Sequence, residues 1–357
     1  MHDMLTESRA TANRVTPSTK KIGDESNTGP ARVARMNPPA EFRIPPAVSV
    51  PAGKWVAGVS RKQSVQKTAQ RILSSRLFTV LHWLPLAAHR SAEDVEYVHQ
   101  LRVATRRAGE AVRMFSDLLP DSTSSELRAV LREIRSAADE ARNLDVLMAD
   151  ILHSAEGLKE DACGDIAEAI RERRRVAQQP IIAIEEKLLA EKFDDQIESM
   201  LCGIQTGSNK KFKQSFGRRA GLFLKPAVRR FLKAAEANLT DDEALHDLRI
   251  QAKKLRYSME HVAAAFQPSF KNELYLEISS LQDLMGAVND RAMAKITLAN
   301  WITNTEDARQ QAFFRGMLLA ETKAHEDLRQ AFHAIWTPQV VRRLRRIFRD
   351  YGENARR

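Results

Sequence analysis

His99-Gln100-Leu101-Arg102-Val103-Ala104-Thr105-Arg106-Arg107 is written a second time, 147 residues later, as His246-Asp247-Leu248-Arg249-Ile250-Gln251-Ala252-Lys253-Lys254. Both copies hold a His, a Leu two residues on, an Arg three on, and a basic pair seven and eight on. Basic runs recur by chance in a chain rich in Lys and Arg, but matching His, Leu and Arg at identical offsets rarely do. Self-similarity at a long period marks a duplicated structural unit.

Helical spacing turns each copy into a surface. At 3.6 residues per turn, His99, Arg102, Arg106 and Arg113 fall within about 60° of one another. His246, Arg249, Lys253 and Tyr257 cluster likewise, with Arg256 at the margin. The apolar residues take the opposite side: Leu101, Ala108, Val112, Phe115 and Leu119 in the first copy, and Leu248, Leu255, Met259, Val262 and Phe266 in the second. Each copy is thus an amphipathic helix with a core stripe opposite a cationic stripe. A solvated helix face normally mixes charge signs at i,i+4, yet the first stripe meets no carboxylate before Glu110. Stacked like charges favour an anionic ligand that neutralises them.

Composition agrees with a helical, polyanion-binding protein. The 357 residues carry 56 Lys and Arg against 46 Asp and Glu, a net charge of +10. Such a balance favours nucleic acid, a phosphate polymer or an anionic surface as partner. Hydrophobic residues make up 43% of the chain, enough for a core, while aromatics supply only 6%. Ala, Leu, Arg and Glu dominate, which favours α-helix. Cys163 and Cys202 are the two cysteines, expected as free thiols in a reducing compartment. No run approaches 18 consecutive apolar residues, so no membrane span is expected, and no apolar leader segment opens the chain.

Residues 1–60 lack apolar periodicity and are punctuated by Pro17, Pro30, Pro38, Pro39, Pro45, Pro46 and Pro51, which reads as a disordered tail. The first helix is expected over Ser64–Ala88. Ser91 and Asp94 have capping-box spacing before the first basic helix, which Pro120 ends. One continuous helix is expected from about Ser122 to His153, and Pro180 is expected to break a later one. A Gly-Ser-Asn cluster near residue 207 marks the midpoint. The second half repeats the plan: a helix at about 213–237, an N-cap in Thr240-Asp241-Asp242-Glu243, the second basic helix, and helices at about 269–301 and 306–335. A basic stretch after Pro338 closes the chain, and 351–357 reads as a basic tail. The expected fold is all-α, with a first helical half at 61–207, a second at 208–350, and about four helices in each.

These residues resemble the conserved histidine α-helical domain, or CHAD, family over roughly residues 60–350. The resemblance rests on His99-x-x-Arg102-x-x-x-Arg106-Arg107 and His246-x-x-Arg249-x-x-x-Lys253-Lys254-Leu255-Arg256-Tyr257. Ala141-Arg142-Asn143-Leu144-Asp145-Val146 and Leu284-Met285-Gly286-Ala287-Val288-Asn289-Asp290 support it. They are similar to the family's paired Gly-x-x-Arg-Asp and Gly-x-x-Asn-Asp segments. The first departs from the pattern, with Asn143 in place of Asp and no preceding Gly. The Asp position is expected to serve helix packing. The resemblance implies two pseudo-symmetric four-helix bundles around a basic central cavity that binds inorganic polyphosphate, in a cytoplasmic protein associated with polyphosphate granules.

The chemistry of the residues points the same way. A flexible phosphate chain offers a charge on every unit and no base to read, so it calls for a row of cations. Arg supplies bidentate donors and Lys a mobile point charge. Phosphate contacts are expected from Arg102, Arg106, Arg107 and Arg113 on one helix. On the other they are expected from Arg249, Lys253, Lys254 and Arg256, with Tyr257 donating a phenolic hydrogen bond. His99 and His246 read equally well as structural residues or as charge-sharing phosphate ligands. Arg132, Arg135, Arg142, Arg218 and Arg219 are secondary candidates. No carboxylate or second His lies at i+4 of either His, so neither metal nor cofactor is expected. No Walker loop, HExxH or Gly-x-Ser-x-Gly motif occurs, and no enzyme activity is expected. Weak binding to a nucleic-acid backbone, or to an acidic protein partner, is the alternative. Base stacking is poorly provided for, since Tyr257 is the one aromatic on a cationic stripe.

Overall fold

The computed structural model describes residues 41–46, 48, 53–155, 168, 170–206 and 213–354. Eleven α-helices have their bounds within this set, residues 170–176 are helical as well, and no strand is present among the described residues. The first six are α1 (Val65–His89), α2 (Glu96–Met114), α3 (Asp121–Ala137), α4 (Asp139–Ala155), α5 (Gln179–Ala190) and α6 (Phe193–Thr206). The rest are α7 (Phe216–Ala234), α8 (Asp242–Val262), α9 (Tyr275–Asn304), α10 (Ala308–Ile335) and α11 (Pro338–Asn354). Among the described residues, no helix is long and apolar enough to cross a membrane.

Helix starts follow the local chemistry in three places. Ser64 caps α1 by accepting the amide of Lys67 at 3.2 Å. Asp241 caps α8 by accepting from Ala244, and Asp307 caps α10 by accepting from Arg309. Each satisfies an amide that the first turn leaves without an intrahelical acceptor. Ser91 does not cap α2. Its hydroxyl instead meets Gln178 Oε1 at 2.9 Å, and Asp94 accepts the Glu96 amide.

Three further expectations change. The helix expected over 122–153 is two helices, divided at Ala138. Pro180 does not break a helix but opens α5, where its missing N–H costs nothing. Residues 53–60, assigned above to the tail, belong to the folded body. Gly53 and Lys54 offer their carbonyls to the buried Arg76 guanidinium at 2.7 Å each, and Trp55, Val56 and Val59 pack on the core. Phe42 and Ile44 pack there too. At the other end, α11 runs through the expected C-terminal tail to Asn354. Residues 1–40, 47, 49–52 and 355–357 and the midpoint cluster at 207–209 lie outside the described residues, as does Cys163.

The core stripe of each basic helix is inside the protein. Leu101, Ala108, Val112, Phe115, Leu248, Leu255, Met259 and Val262 are all fully buried. In the first half α1 packs on α2, α5 and α6, and α2 packs on α3. In the second, α8 packs on α7 and α9, α9 pairs along its length with α10, and α11 lies on α7. Helix α2 also packs directly on α8, so the two halves of the doublet touch.

The segments entering the two halves are joined as well. Lys62-Gln63-Ser64 and Lys213-Gln214-Ser215 are a second internal repeat, and they pair antiparallel at Ser64 and Ser215. Val65 N–H donates to the Gln214 carbonyl at 2.8 Å, and Phe216 N–H donates to the Gln63 carbonyl at 2.6 Å. Gly217 continues the pairing by donating to the Arg61 carbonyl. A Cβ at Gly217 would run into the Arg61 side chain, so the close approach requires glycine there.

Candidate anion-binding pocket

The N-terminal halves of α2 and α8, with α4 and α9 beside them, enclose a pocket of about 240 Å³. His99, Arg102 and Arg106 enter from α2, Arg249 and Lys253 from α8, and Arg142 from α4. Asn143, Asn289 and Asp290 complete the polar lining; Val146, Leu147, Met293, Ala294 and Thr297 form the rest. The lining keeps the 147-residue offset of the doublet. Arg102 corresponds to Arg249, Arg106 to Lys253, Arg142 to Asn289, Asn143 to Asp290, Val146 to Met293 and Leu147 to Ala294. Asp290 is the one carboxylate in the lining.

Arg102 is held at the break between α3 and α4. Its guanidinium donates to the Ala138 carbonyl at 3.3 Å and forms an ion pair with Asp139. The free end of α3 and the acidic start of α4 thereby orient a pocket residue. Burial lowers the Arg102 pKa to about 10, partly countered by Asp139. Lys253 is brought down to about 7 by burial and by Arg249 and Arg106, against the pull of Asp290. Burial and then Arg142 keep His99 below the ordinary histidine range. Burial also lowers Arg249, whose Nε is enclosed with no hydrogen-bond acceptor. Charge crowded into partial burial disfavours each further proton. An anion here would reverse that effect.

The other candidates are not in this lining. Arg107 points to the opposite side, where its Nε donates to the fully buried Glu260 carboxylate at 2.7 Å. Arg256 bonds Gln282, Glu260 and the Tyr275 hydroxyl. Tyr257 is buried, with the Arg256 guanidinium 4.7 Å from its ring centroid. Arg113 is paired with Glu110 three residues before it, and Lys254 is exposed near Arg113 and Arg230. His246 is exposed at the rim, with its Nδ1 3.1 Å from Asn289 Oδ1. These placements correct the reading of one continuous ligand stripe per helix: the lower turns of α2 and α8 face each other and neutralise charge internally.

The secondary candidates divide similarly. Arg142 belongs to α4, not α3, and lines the pocket. Arg135 is next to Arg106, with its pKa lowered by burial first and by that neighbour second. Arg132 is exposed. Arg219 pairs with Asp117 at 3.3 Å, and Arg218 lies on a different concavity. Asn143 and Asp290, expected to serve helix packing, face the pocket instead. The 147-residue offset, carried beyond the doublet to Asn143 and Asp290, was the signal that would have found them.

The CHAD domain family model matches residues 71–299. Among solved structures, the chain is similar to the crystal structure of the CHAD domain from the plant Ricinus communis. That match has 21% identity and a TM-score of 0.60, and covers 80% of this chain and 97% of the plant domain. It is also similar to PptA from Streptomyces chartreusis, with 17% identity and a TM-score of 0.54, covering 77% of this chain and 99% of PptA. No curated protein sequence matches the chain. An all-helical body with a cationic pocket between duplicated helices is the setting of this match, and the chain belongs to the CHAD domain family.

Proposed function

We propose that this protein binds inorganic polyphosphate in the pocket between α2 and α8, without turning it over. The observation that carries the reading is the lining itself. Six basic side chains, five from the two copies of the doublet and Arg142 from α4, converge on one concavity against a single lining carboxylate. The constant offset of the lining residues supports two pseudo-symmetric helical halves as its walls. A phosphate chain presents charge to both walls at once, and guanidinium groups bind phosphoryl oxygens with bidentate geometry. Metal-assisted hydrolysis would require a cluster of carboxylates around the reacting phosphate, and Asp290 alone is a poor basis for it. Such a protein would sit in the cytoplasm, on polyphosphate granules.

Calorimetric titration with polyphosphate and with single-stranded DNA of equal total charge tests the reading. Tighter binding of polyphosphate is expected, with at least about tenfold loss, or 1.4 kcal/mol, in Arg106→Ala plus Lys253→Ala. Equal affinity for the two polymers, or no loss in the double variant, would refute it.

A further inference from the structure

A second concavity, of about 600 Å³ against about 240 Å³ for the cationic pocket, lies between α7 and α11. Its chemistry differs from that of the first. Leu222, Val228, Leu232, Phe266 and Phe348 form an apolar floor, and Leu222 is 51% exposed. Arg218, Lys225, Arg229 and Lys233 stand along the α7 side and Arg345 and Arg349 on the α11 side, against two lining carboxylates, Glu236 and Glu353.

Helix α7 buries one apolar face and exposes a mixed face of leucines and cations. Phe216, Ala220, Leu224, Ala227 and Phe231 are buried in the core, while Leu222 and Leu232 turn toward the groove. The second face has no helix over it among the described residues. Lys225, Arg229 and Lys233 follow one another at i,i+4, a like-charge arrangement that costs helix stability when nothing neutralises it. None of the three, nor Arg218, has a carboxylate partner among the described residues. Arg345 by contrast is paired with Glu236, and elsewhere on α11 Arg343 is paired with Glu277.

We infer that this groove receives an acidic amphipathic helix of a partner protein, its apolar stripe on the floor and its carboxylates against the α7 cations. The shape argues for a helix. From Arg218 to Lys233 the exposed face runs roughly 22 Å, four turns of a facing helix, and a groove between two helices is the usual seat of a third. A nucleic-acid backbone would satisfy the cations but leave the apolar floor unmatched. A flat bilayer surface would not reach the floor of a concave groove.

The test uses the full-length protein and a synthetic peptide of about four helical turns, with Leu at i, i+3, i+4 and i+7 and Glu on the flanks. A scrambled peptide of identical composition, phosphatidylglycerol vesicles and polyphosphate serve as comparisons. Gly352→Phe adds a bulky side chain at the groove, at a position where a Cβ meets nothing within 4 Å. Arg229→Glu reverses one exposed charge. Expected are binding of the patterned peptide over the scrambled one, and loss of at least about tenfold in each variant. Protection from amide exchange should rise along α7 and α11, with polyphosphate affinity unaltered in Gly352→Phe. Equal binding of both peptides, binding of vesicles but not peptide, or no effect of Gly352→Phe would overturn the assignment. The outcome is independent of the polyphosphate reading, whose own double variant leaves this groove intact.

Discussion

Arg106 and Arg107 are adjacent in the chain and do opposite jobs. Arg106 presents its charge to the pocket, whereas Arg107 neutralises a carboxylate that is wholly enclosed. Arg107→Ala removes one of the three donors to that buried carboxylate, leaving Arg256 and the Tyr275 hydroxyl on it, and losing a charge-assisted hydrogen bond of this kind costs about 1.5–3 kcal/mol. Urea unfolding should show that loss, while the folded fraction still binds polyphosphate normally. Arg106→Ala should change stability by about 0.5 kcal/mol or less yet weaken binding in titration. Lys253 adds a pH signature. Its folded pKa of about 7 lies below the ordinary lysine value, so the unfolded chain binds the extra proton more readily. For this group, folding stability therefore rises between about pH 7 and 10.5 and is lost as pH falls through that window. A bound polyanion raises the Lys253 pKa, so binding takes up a proton. Affinity should be greatest at and below neutrality and fall as pH climbs above 7. Calorimetry in buffers of different ionisation enthalpy measures the uptake directly, and Lys253→Met should abolish that part of it.

At the scale of the helix, amphipathic periodicity accounts for which side of α2 and α8 enters the core. It does not determine how far along the axis the opposite side stays useful for binding. Arg113 shares the wheel angle of Arg106 but lies roughly 10.5 Å further along α2, where α2 and α8 have already come together. Glu110 there binds both Arg113 and the Ser258 hydroxyl. On α8 the corresponding turn carries Glu260, which accepts from Arg107, Arg256 and Tyr275. The α8 cap is a separable element. Asp241→Ala removes the acceptor of the Ala244 amide and should cost about 0.5–2 kcal/mol in thermal or denaturant unfolding. Polyphosphate affinity at saturation of folding should not move.

At the scale of the whole molecule, the pocket exists because two halves of one chain bring equivalent residues to the same place. Binding should then depend on both walls alike. The double variants Arg102→Ala plus Arg106→Ala, and Arg249→Ala plus Lys253→Ala, should weaken polyphosphate binding to similar extents. Each should flatten the dependence of log K on log salt by about one for every phosphate that is no longer neutralised. A titration series in potassium chloride checks this. Weakening confined to one wall would mean that the chain binds along a single helix, not between two. The paired Gln63-Ser64 and Gln214-Ser215 segments anchor the starts of both halves side by side.

The sequence by itself determined the helical class, the duplication, the buried face of each basic helix and the cationic character of the opposite face. Those properties are local: they follow from residue spacing within a few turns and from a repeat visible in one dimension. It also carried the Lys-Gln-Ser repeat and the offset linking Asn143 to Asp290, whose meaning is apparent only once the partners are seen together. The tertiary structure alone decided that His99, Arg102, Arg106, Arg142, Arg249 and Lys253 share one pocket, while Arg107, Arg113 and Arg256 neutralise carboxylates or bond neighbouring side chains. The reason is geometric. A helical wheel specifies the direction of a side chain about its own axis, whereas what it meets depends on where two helices converge and which carboxylates lie at that height.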